Sequence, residues 1–242
     1  MIVRNSRHTA LRLATLMVAL LAAFGLVAAC SKSSDAKQSD APLPDAKTVI
    51  DASAASARAL HDVQLDLSVD GTVPNLPVKS VTAYLTNQPK VSGQGDAEVT
   101  FNGTQVKAKF VVVDAHLWAQ FGSGQAYQDM GLAADIYDAS AILDPEKGIA
   151  KLLSSVHEPK VEGREQIGGT DAIRISGIIP GTALAGIVPK AALGDRPLTF
   201  WVQEAAPNNL VRANVGFDNG TLIVTLSDWG KKVTLLDPKT AK

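Results

Sequence analysis

Cys30 is the only thiol in this chain of 242 residues. It follows an uncharged apolar run from Leu13 to Val27, and three arginines precede that run. A run of this length is short for a transmembrane span and is typical of an export signal. A lone cysteine in an exported protein cannot form an internal disulfide, so its thiol needs a different use.

The segment Leu26–Cys30 suggests that use. It reads Leu-Val-Ala-Ala-Cys, like the bacterial lipobox, in which a diacylglyceryl group is attached to the thiol as a thioether before the signal is cut. We therefore predict a signal peptide at 1–29 and an acylated N-terminus with a flexible tether at 30–44. Several acyl chains hold a protein firmly to a bilayer. The predicted location is the outer face of the inner (cell) membrane, facing the cell envelope.

The mature chain lacks the residue patterns of common catalytic and cofactor sites. His61, His116 and His157 are far apart, and no H-E-x-x-H or G-x-S-x-G motif occurs. No glycine-rich phosphate loop leads from a strand into a helix. The formal net charge of −1 offers no basic excess for nucleic acid. We predict no enzyme activity, no metal, no cofactor and no nucleic-acid partner.

The apolar periodicity predicts a sheet with helices inserted between its strands. Asp45 is a predicted N-cap for a helix over Ala46–His61, and Val63–Val69 alternates as a half-buried strand should. Further helices are predicted over Asp138–Leu143, from Pro145 onward, and irregularly over Thr182–Leu193. About ten antiparallel strands result, at 63–69, 78–86, 91–101, 106–112, 116–121, 161–167, 172–178, 198–203, 210–217 and 221–229.

These elements predict the fold class α+β. A single domain is expected over 45–237, followed by a short C-terminal tail at 238–242. The sheet should be polar on one face and carry the helices on its apolar face. A sheet of this size should also curve strongly.

Several segments resemble the mycobacterial LppX/LprA/LprF/LprG lipoprotein family, and most closely its LprG and LprA branches. They occur in order from the tether almost to the C-terminus and include Leu143–Gly148, Phe200–Glu204 and Ser227–Val233. The resemblance implies a half-barrel like that of the LolA/LolB carriers, with an apolar cavity between a curved sheet and its helices.

The resemblance also implies a function. Members of this family are associated with moving triacylglycerides, phosphatidylinositol mannosides or lipoarabinomannan-type glycolipids out of the inner membrane. In the LprG branch, a major-facilitator efflux pump is the linked partner. We therefore expect a lipid carrier, not an enzyme, whose ligand is an acylated lipid or glycolipid.

Alternation and helix stripes indicate which side chains would face such a cavity. The helix stripes are rich in small side chains, which either leave space for a ligand or simply pack closely. Val91 and the segment 182–193 are candidates for the cavity mouth. The other predicted lining residues are Val63, Leu65, Leu67, Val69, Val99, Phe110, Val112, Ile149, Leu153, Leu184 and Val188.

Two other functions fit the sequence. The chain could be a surface interaction module, recognised by host innate receptors through its acylated N-terminus. It could also be an esterase-like enzyme with an unusual site, in which case one Ser or Asp substitution would abolish hydrolysis.

Overall fold

The computed structural model describes residues 41–241 except 102, 137, 138, 186, 187 and 189–193. Cys30, the export signal and most of the predicted tether lie outside the described residues. So do Asn102, Asp138 and most of the predicted helix at 182–193.

Strands make up most of the described chain and form one antiparallel sheet. Its spatial order is β6-β5-β4-β3-β2-β1-β11-β10-β9-β8-β7. Strands that neighbour each other in the sheet are consecutive in sequence, except that β1 pairs with β11, and β6 and β7 form the two edges. The strands are β1 (Asp62–Thr72), β2 (Val78–Thr86), β3 (Ser92–Phe101), β4 (Thr104–Val113), β5 (His116–Gln120), β6 (Gln128–Leu132), β7 (His157–Ile167), β8 (Thr170–Ile179), β9 (Arg196–Gln203), β10 (Leu210–Phe217) and β11 (Asn219–Ser227).

The helices are short apart from the first. They are α1 (Ala46–Ala59), α2 (Ala133–Ile136), a 3₁₀ helix η1 (Ala139–Leu143), α3 (Ile149–Ser154) and α4 (Gly181–Leu184). The helix α1 packs against α3 and reaches β7, while η1 lies against β2 and β3. Apolar residues of α1 and α3 belong to the same buried cluster as the apolar strand residues. The helices therefore lie on the apolar face of the sheet.

Alternation along the strands separates this apolar face from a polar one. In β1, Val63, Leu65 and Leu67 are at most 2% exposed, whereas the intervening Gln64 and Asp66 are half-buried. The predicted α+β class is confirmed: a curved antiparallel sheet that does not close, with a few helices.

Two glycines of β3 allow a close approach to β2. A Cβ at Gly95 would overlap the carbonyl oxygen of Thr82, and a Cβ at Gly93 would meet the Leu85 side chain at 2.8 Å. Glycine inside a strand commonly marks such a bend or close contact. These positions let β3 lie close to β2.

The N-terminal end of the domain is fixed at two points. The predicted N-cap is confirmed, because Asp45 Oδ1 accepts a hydrogen bond from the Thr48 backbone N–H at 2.9 Å. Just before it, Arg164 of β7 donates to the carbonyl oxygens of Ala41 (2.8 Å) and Pro42 (3.1 Å). Arg164 also pairs with Glu204 at 2.7 Å. Residues 41–45 therefore lie against β7 and the end of β9.

The C-terminal segment crosses the polar face of the sheet. The Leu236 backbone N–H donates to Gln94 Oε1 at 2.7 Å, and Lys239 Nζ lies 6.0 Å from the ring centre of Trp118. Pro238 is buried. Residues 231–241 thus run from the end of β11 towards β5.

The local structure differs from the prediction in two places: one strand was not predicted, and one predicted helix start was wrong. The strand β6 was not predicted, because Gln128–Leu132 has only Met130 and Leu132 in alternation and contains Gly131 at φ +94°. Pro145 does not begin a helix. The Asp144 carboxylate accepts hydrogen bonds from the Glu146 and Lys147 N–H groups and so holds a turn there, and α3 begins only at Ile149.

Candidate functional site

The candidate site is the apolar interior between the sheet and the helices. Strand β1 runs through its centre, with β2 on one side and β11 on the other. Leu65 lies opposite Ala83 of β2 and Leu226 of β11, and all three side chains are at most 2% exposed. These neighbours build a wall of aliphatic carbon across the middle strands.

Most of the predicted lining residues meet in this interior. Ten of the twelve lie in one buried cluster: Val63, Leu65, Leu67, Val69, Phe110, Val112, Ile149, Leu153, Leu184 and Val188. Val99 is partly buried and packs against that cluster. Val91 lies just before β3, is 47% exposed and does not belong to the cluster.

Sequence reasoning missed a large part of the same interior. Strand β9 contributes Leu198, Phe200 and Val202, none of them more than 2% exposed. Their alternation was visible in the sequence, but nothing there indicated that β9 shares a core with β1. Strands β9 and β1 share a core because β1 pairs with β11, and this pairing joins the first part of the sheet to the last.

Helix α1 covers the interior with a stripe of mostly small or medium side chains. The stripe consists of Val49, Ile50, Ser53 and Ala54, all buried. Ser53 is 0% exposed, and its Oγ has no hydrogen-bond partner in the described part of the chain. A buried hydroxyl without a partner is uncommon and costs free energy.

A few polar contacts attach the helices to one another and to the sheet. Ser56 Oγ of α1 donates to Asn209 Oδ1 at 2.6 Å, and Arg58 donates to Ser154 Oγ of α3 at 3.0 Å. Asn87, which follows β2, donates to the carbonyl oxygen of Leu143 at 3.3 Å. All three contacts lie at least partly at the surface. Among the described residues, no charged side chain is buried in the apolar interior.

Titratable groups gather outside this interior. His116 Nδ1 lies 3.1 Å from the Asp129 carboxylate at the β5–β6 end of the sheet, and both side chains are more than 40% exposed. The pKa of Asp129 is lowered, chiefly by a hydrogen bond from the Gly131 backbone N–H and next by the hydrogen bond with His116. Among the described residues, no group of three or more His, Cys, Asp or Glu side chains is arranged to hold a metal ion.

None of the described helices combines the length and apolarity that a bilayer crossing requires.

The chain is similar to known proteins over nearly its whole length. A protein of Mycolicibacterium smegmatis named lipoarabinomannan carrier protein LprG is 39% identical over 227 residues, which are 93% of this chain and 95% of the relative. The Mycobacterium leprae protein of the same name is 35% identical and covers 95% of this chain and 97% of its own.

Solved structures share the fold. LprF from Mycobacterium bovis superposes with a TM-score of 0.75 at 31% identity, covering 82% of this chain and 99% of LprF. LppX from Mycobacterium tuberculosis gives a TM-score of 0.61 at 23% identity, covering 77% of this chain and 96% of LppX. The second likeness concerns the fold alone.

Residues 45–235 match the LppX_LprAFG lipoprotein family. This segment contains the whole sheet and all the helices described above. The resemblance read from the sequence is confirmed: the chain belongs to the LppX/LprAFG lipoprotein family.

Proposed function

We propose that this protein is a membrane-anchored carrier that binds the acyl chains of a lipid or glycolipid between its sheet and its helices. The observation that carries the proposal is the 35–39% identity, over nine-tenths of both chains, to relatives named lipoarabinomannan carriers. The proposed cargo is a lipoarabinomannan-type glycolipid, a phosphatidylinositol mannoside or a triacylglyceride. The carrier would help to move it from the inner membrane to the envelope.

The physical need for a carrier is large. A lipid with about thirty methylenes loses on the order of 25 kcal/mol when it enters water, at about 0.8 kcal/mol for each methylene. Spontaneous release over such a barrier is extremely slow. A protein that covers the chains with aliphatic side chains removes most of this cost and needs no catalytic group.

The helical layer is suited to admitting such chains. The helices η1, α3 and α4 have only five, six and four residues. Helices this short are not stable by themselves and depend on packing. Segments of low local stability are the ones that move when a ligand binds, so the helices can separate from the sheet while its ladder of hydrogen bonds stays intact.

Cys30 completes the proposal as the acylated residue. An anchor there would keep the domain at the outer face of the inner membrane, where the cargo emerges. A major-facilitator efflux pump is the proposed partner that would deliver the cargo.

The test compares the amount of bound lipid in the wild type with that in a variant whose interior is filled by a larger side chain. The full chain is produced in a mycobacterial host, purified in detergent, and its non-covalently bound lipids are identified by mass spectrometry. Leu67→Trp places a large ring on the apolar face of β1, and we expect it to reduce the bound lipid at least fivefold. The matched control is Ser68→Trp, because Ser68 is exposed on the opposite face of the same strand.

Circular dichroism and thermal unfolding show whether each variant is folded. If Leu67→Trp does not fold, Ala54→Val on α1 narrows the same interior from the opposite side with a smaller change. Wild-type protein without bound lipid would contradict the proposal. A folded Leu67→Trp or Ala54→Val variant that retains the wild-type amount of bound lipid would also contradict it.

A further inference from the structure

A concavity lies on the polar face of the sheet, over β2, β3 and β4. Its volume is about 860 Å³. Ser80, Thr82 and Tyr84 line it, and along β2 these residues alternate with Val81, Ala83 and Leu85, which belong to the apolar interior. The concavity, called the outer groove below, is therefore separated from the interior by the sheet itself.

Two chain segments form the walls of the outer groove. The loop after β5 folds back over the sheet, where the Gln120 side-chain amide donates to the carbonyl oxygen of Gln125. The C-terminal segment provides Leu236, which Gln94 holds through the backbone hydrogen bond described above. The groove thus has a sheet as its floor and two anchored walls, in the size range of small-molecule sites.

The charges in the outer groove balance. Lys109 pairs with Asp96 at 3.0 Å, and Lys107 lies 3.8 Å from Glu98. The hydrogen bond that Lys109 donates to the Asp96 carboxylate raises the pKa of Lys109, so this lysine remains charged. With two cations and two anions among the described lining residues, the groove favours neither a polyanion nor a polycation.

The remaining lining combines aromatic rings with amides and hydroxyls. Tyr84 and Tyr127 are half-buried and offer ring surface, while Gln94 and Gln120 bring donors and acceptors. An acyl chain in this groove would desolvate the two ion pairs and the amides without replacing their hydrogen bonds, which is unfavourable. The groove therefore needs a ligand that both donates and accepts hydrogen bonds.

We propose that the outer groove is a binding site for a neutral glycan. A sugar hydroxyl both donates and accepts, so it can bond to carboxylates, ammonium groups and amides alike. The C–H face of a sugar ring can lie against Tyr127 and Tyr84. The proposal adds a glycan site to the carrier function, and the biological source of the glycan rests on that proposed function. A glycolipid with its acyl chains in the interior would extend its glycan around the edge strand β6 to reach the groove.

The test uses a glycan that has no acyl chains. Deacylated lipoarabinomannan, also freed of the phosphate of its inositol anchor so that it is neutral, is titrated into the full chain by isothermal calorimetry, with heparin as a charged comparison. We expect saturable binding of the neutral glycan and none of heparin at the same concentration. Tyr127→Ala and Asp96→Asn should each weaken the binding at least fivefold.

The matched control is Glu162→Gln. Glu162 pairs with Lys160 on β7 at 3.3 Å, just as Asp96 pairs with Lys109, but it lies far from the groove along the sheet. This variant should change the affinity less than twofold. No binding at millimolar glycan would overturn the proposal, as would equal losses in Asp96→Asn and Glu162→Gln.

The interior variant separates this proposal from the carrier function. Leu67→Trp should leave the affinity for the deacylated glycan unchanged, while it reduces the amount of bound lipid. Glycan binding in a protein without bound lipid would support the groove and contradict the carrier proposal. Bound lipid without glycan binding would support the carrier proposal and contradict the glycan site.

Discussion

At the scale of single residues, two serines one turn apart on α1 have opposite surroundings. Ser56 donates to Asn209 at 2.6 Å, whereas Ser53 is fully buried with no hydrogen-bond partner in the described part of the chain. Unpartnered hydroxyls in apolar interiors cost stability and are retained where they serve another purpose. If the protein carries a lipid as proposed, an ester oxygen of that lipid would be the missing acceptor for Ser53.

We expect Ser53→Ala to stabilise the lipid-free protein. The change removes a buried hydroxyl that has no partner, which is worth about 1 kcal/mol in free energy of unfolding. Chemical denaturation of delipidated protein measures it. Ser56→Ala on the same helix is the control and should destabilise, because it leaves Asn209 without its partner; a loss of stability in Ser53→Ala would contradict the prediction.

At the scale of elements, glycines set how closely β2 and β3 approach. A Cβ at Gly95 would overlap the backbone of Thr82 and also crowd Ala83. Backbone atoms cannot move aside as a flexible side chain can. The strands would have to separate locally, on both the interior and the groove side.

Gly95→Ala should therefore destabilise the protein by about 1–3 kcal/mol, the usual cost of overpacking. Urea unfolding followed by circular dichroism provides the measurement. Gly194→Ala is the control, since open space surrounds a Cβ at that position, and it should be neutral. Equal stability of the two variants would show that β3 can shift without cost.

The sequence predicted those elements whose periodicity and end signals agree. In α1 the Asp45 cap and the apolar stripe coincide, and in β1 the alternation of Val63, Leu65 and Leu67 matches the observed burial. Strand β6 was not predictable in this way, because it forms through pairing with β5 at the sheet edge and not through its own pattern.

The candidate interior was predictable in part for the same reason. Alternation identifies which side chains of a strand are buried together, and ten of the twelve proposed residues do share one cluster. The contribution of β9 and the outer groove were not predictable. Both depend on which distant segments meet, as Leu236 does with Gln94 across the polar face.

At the scale of the whole molecule, several carboxylates bind hydrogen-bond donors only in the folded state. Their pKa values lie below the ordinary 3.8 of Asp and 4.5 of Glu, chiefly because of hydrogen bonds from a backbone N–H, a lysine or a serine hydroxyl. They occur at the start of α1, in the β4–β5 turn, in β6 and in β7. The four are Asp45, Asp114, Asp129 and Glu162.

Stability should therefore be lost at acidic pH. As the pH falls through about 5 to 3, the unfolded chain takes up protons on these groups before the folded chain does, so unfolding becomes more favourable. Thermal unfolding between pH 7 and pH 2.5 should show a plateau above about pH 5 and a decline below it. Asp129→Asn should make this decline shallower. A midpoint of thermal unfolding that stays constant down to pH 3 would contradict the lowered pKa values of these carboxylates.

The bonds of Arg164 to Ala41 and Pro42 have a mechanical consequence. Any traction applied through the chain before residue 41 reaches Arg164, and through it β7 and Glu204, before it can reach α1. The stress passes into the hydrogen-bonded sheet. If the N-terminus is anchored to a bilayer as proposed, a pull on that anchor would load the sheet before the helices that would have to move for cargo.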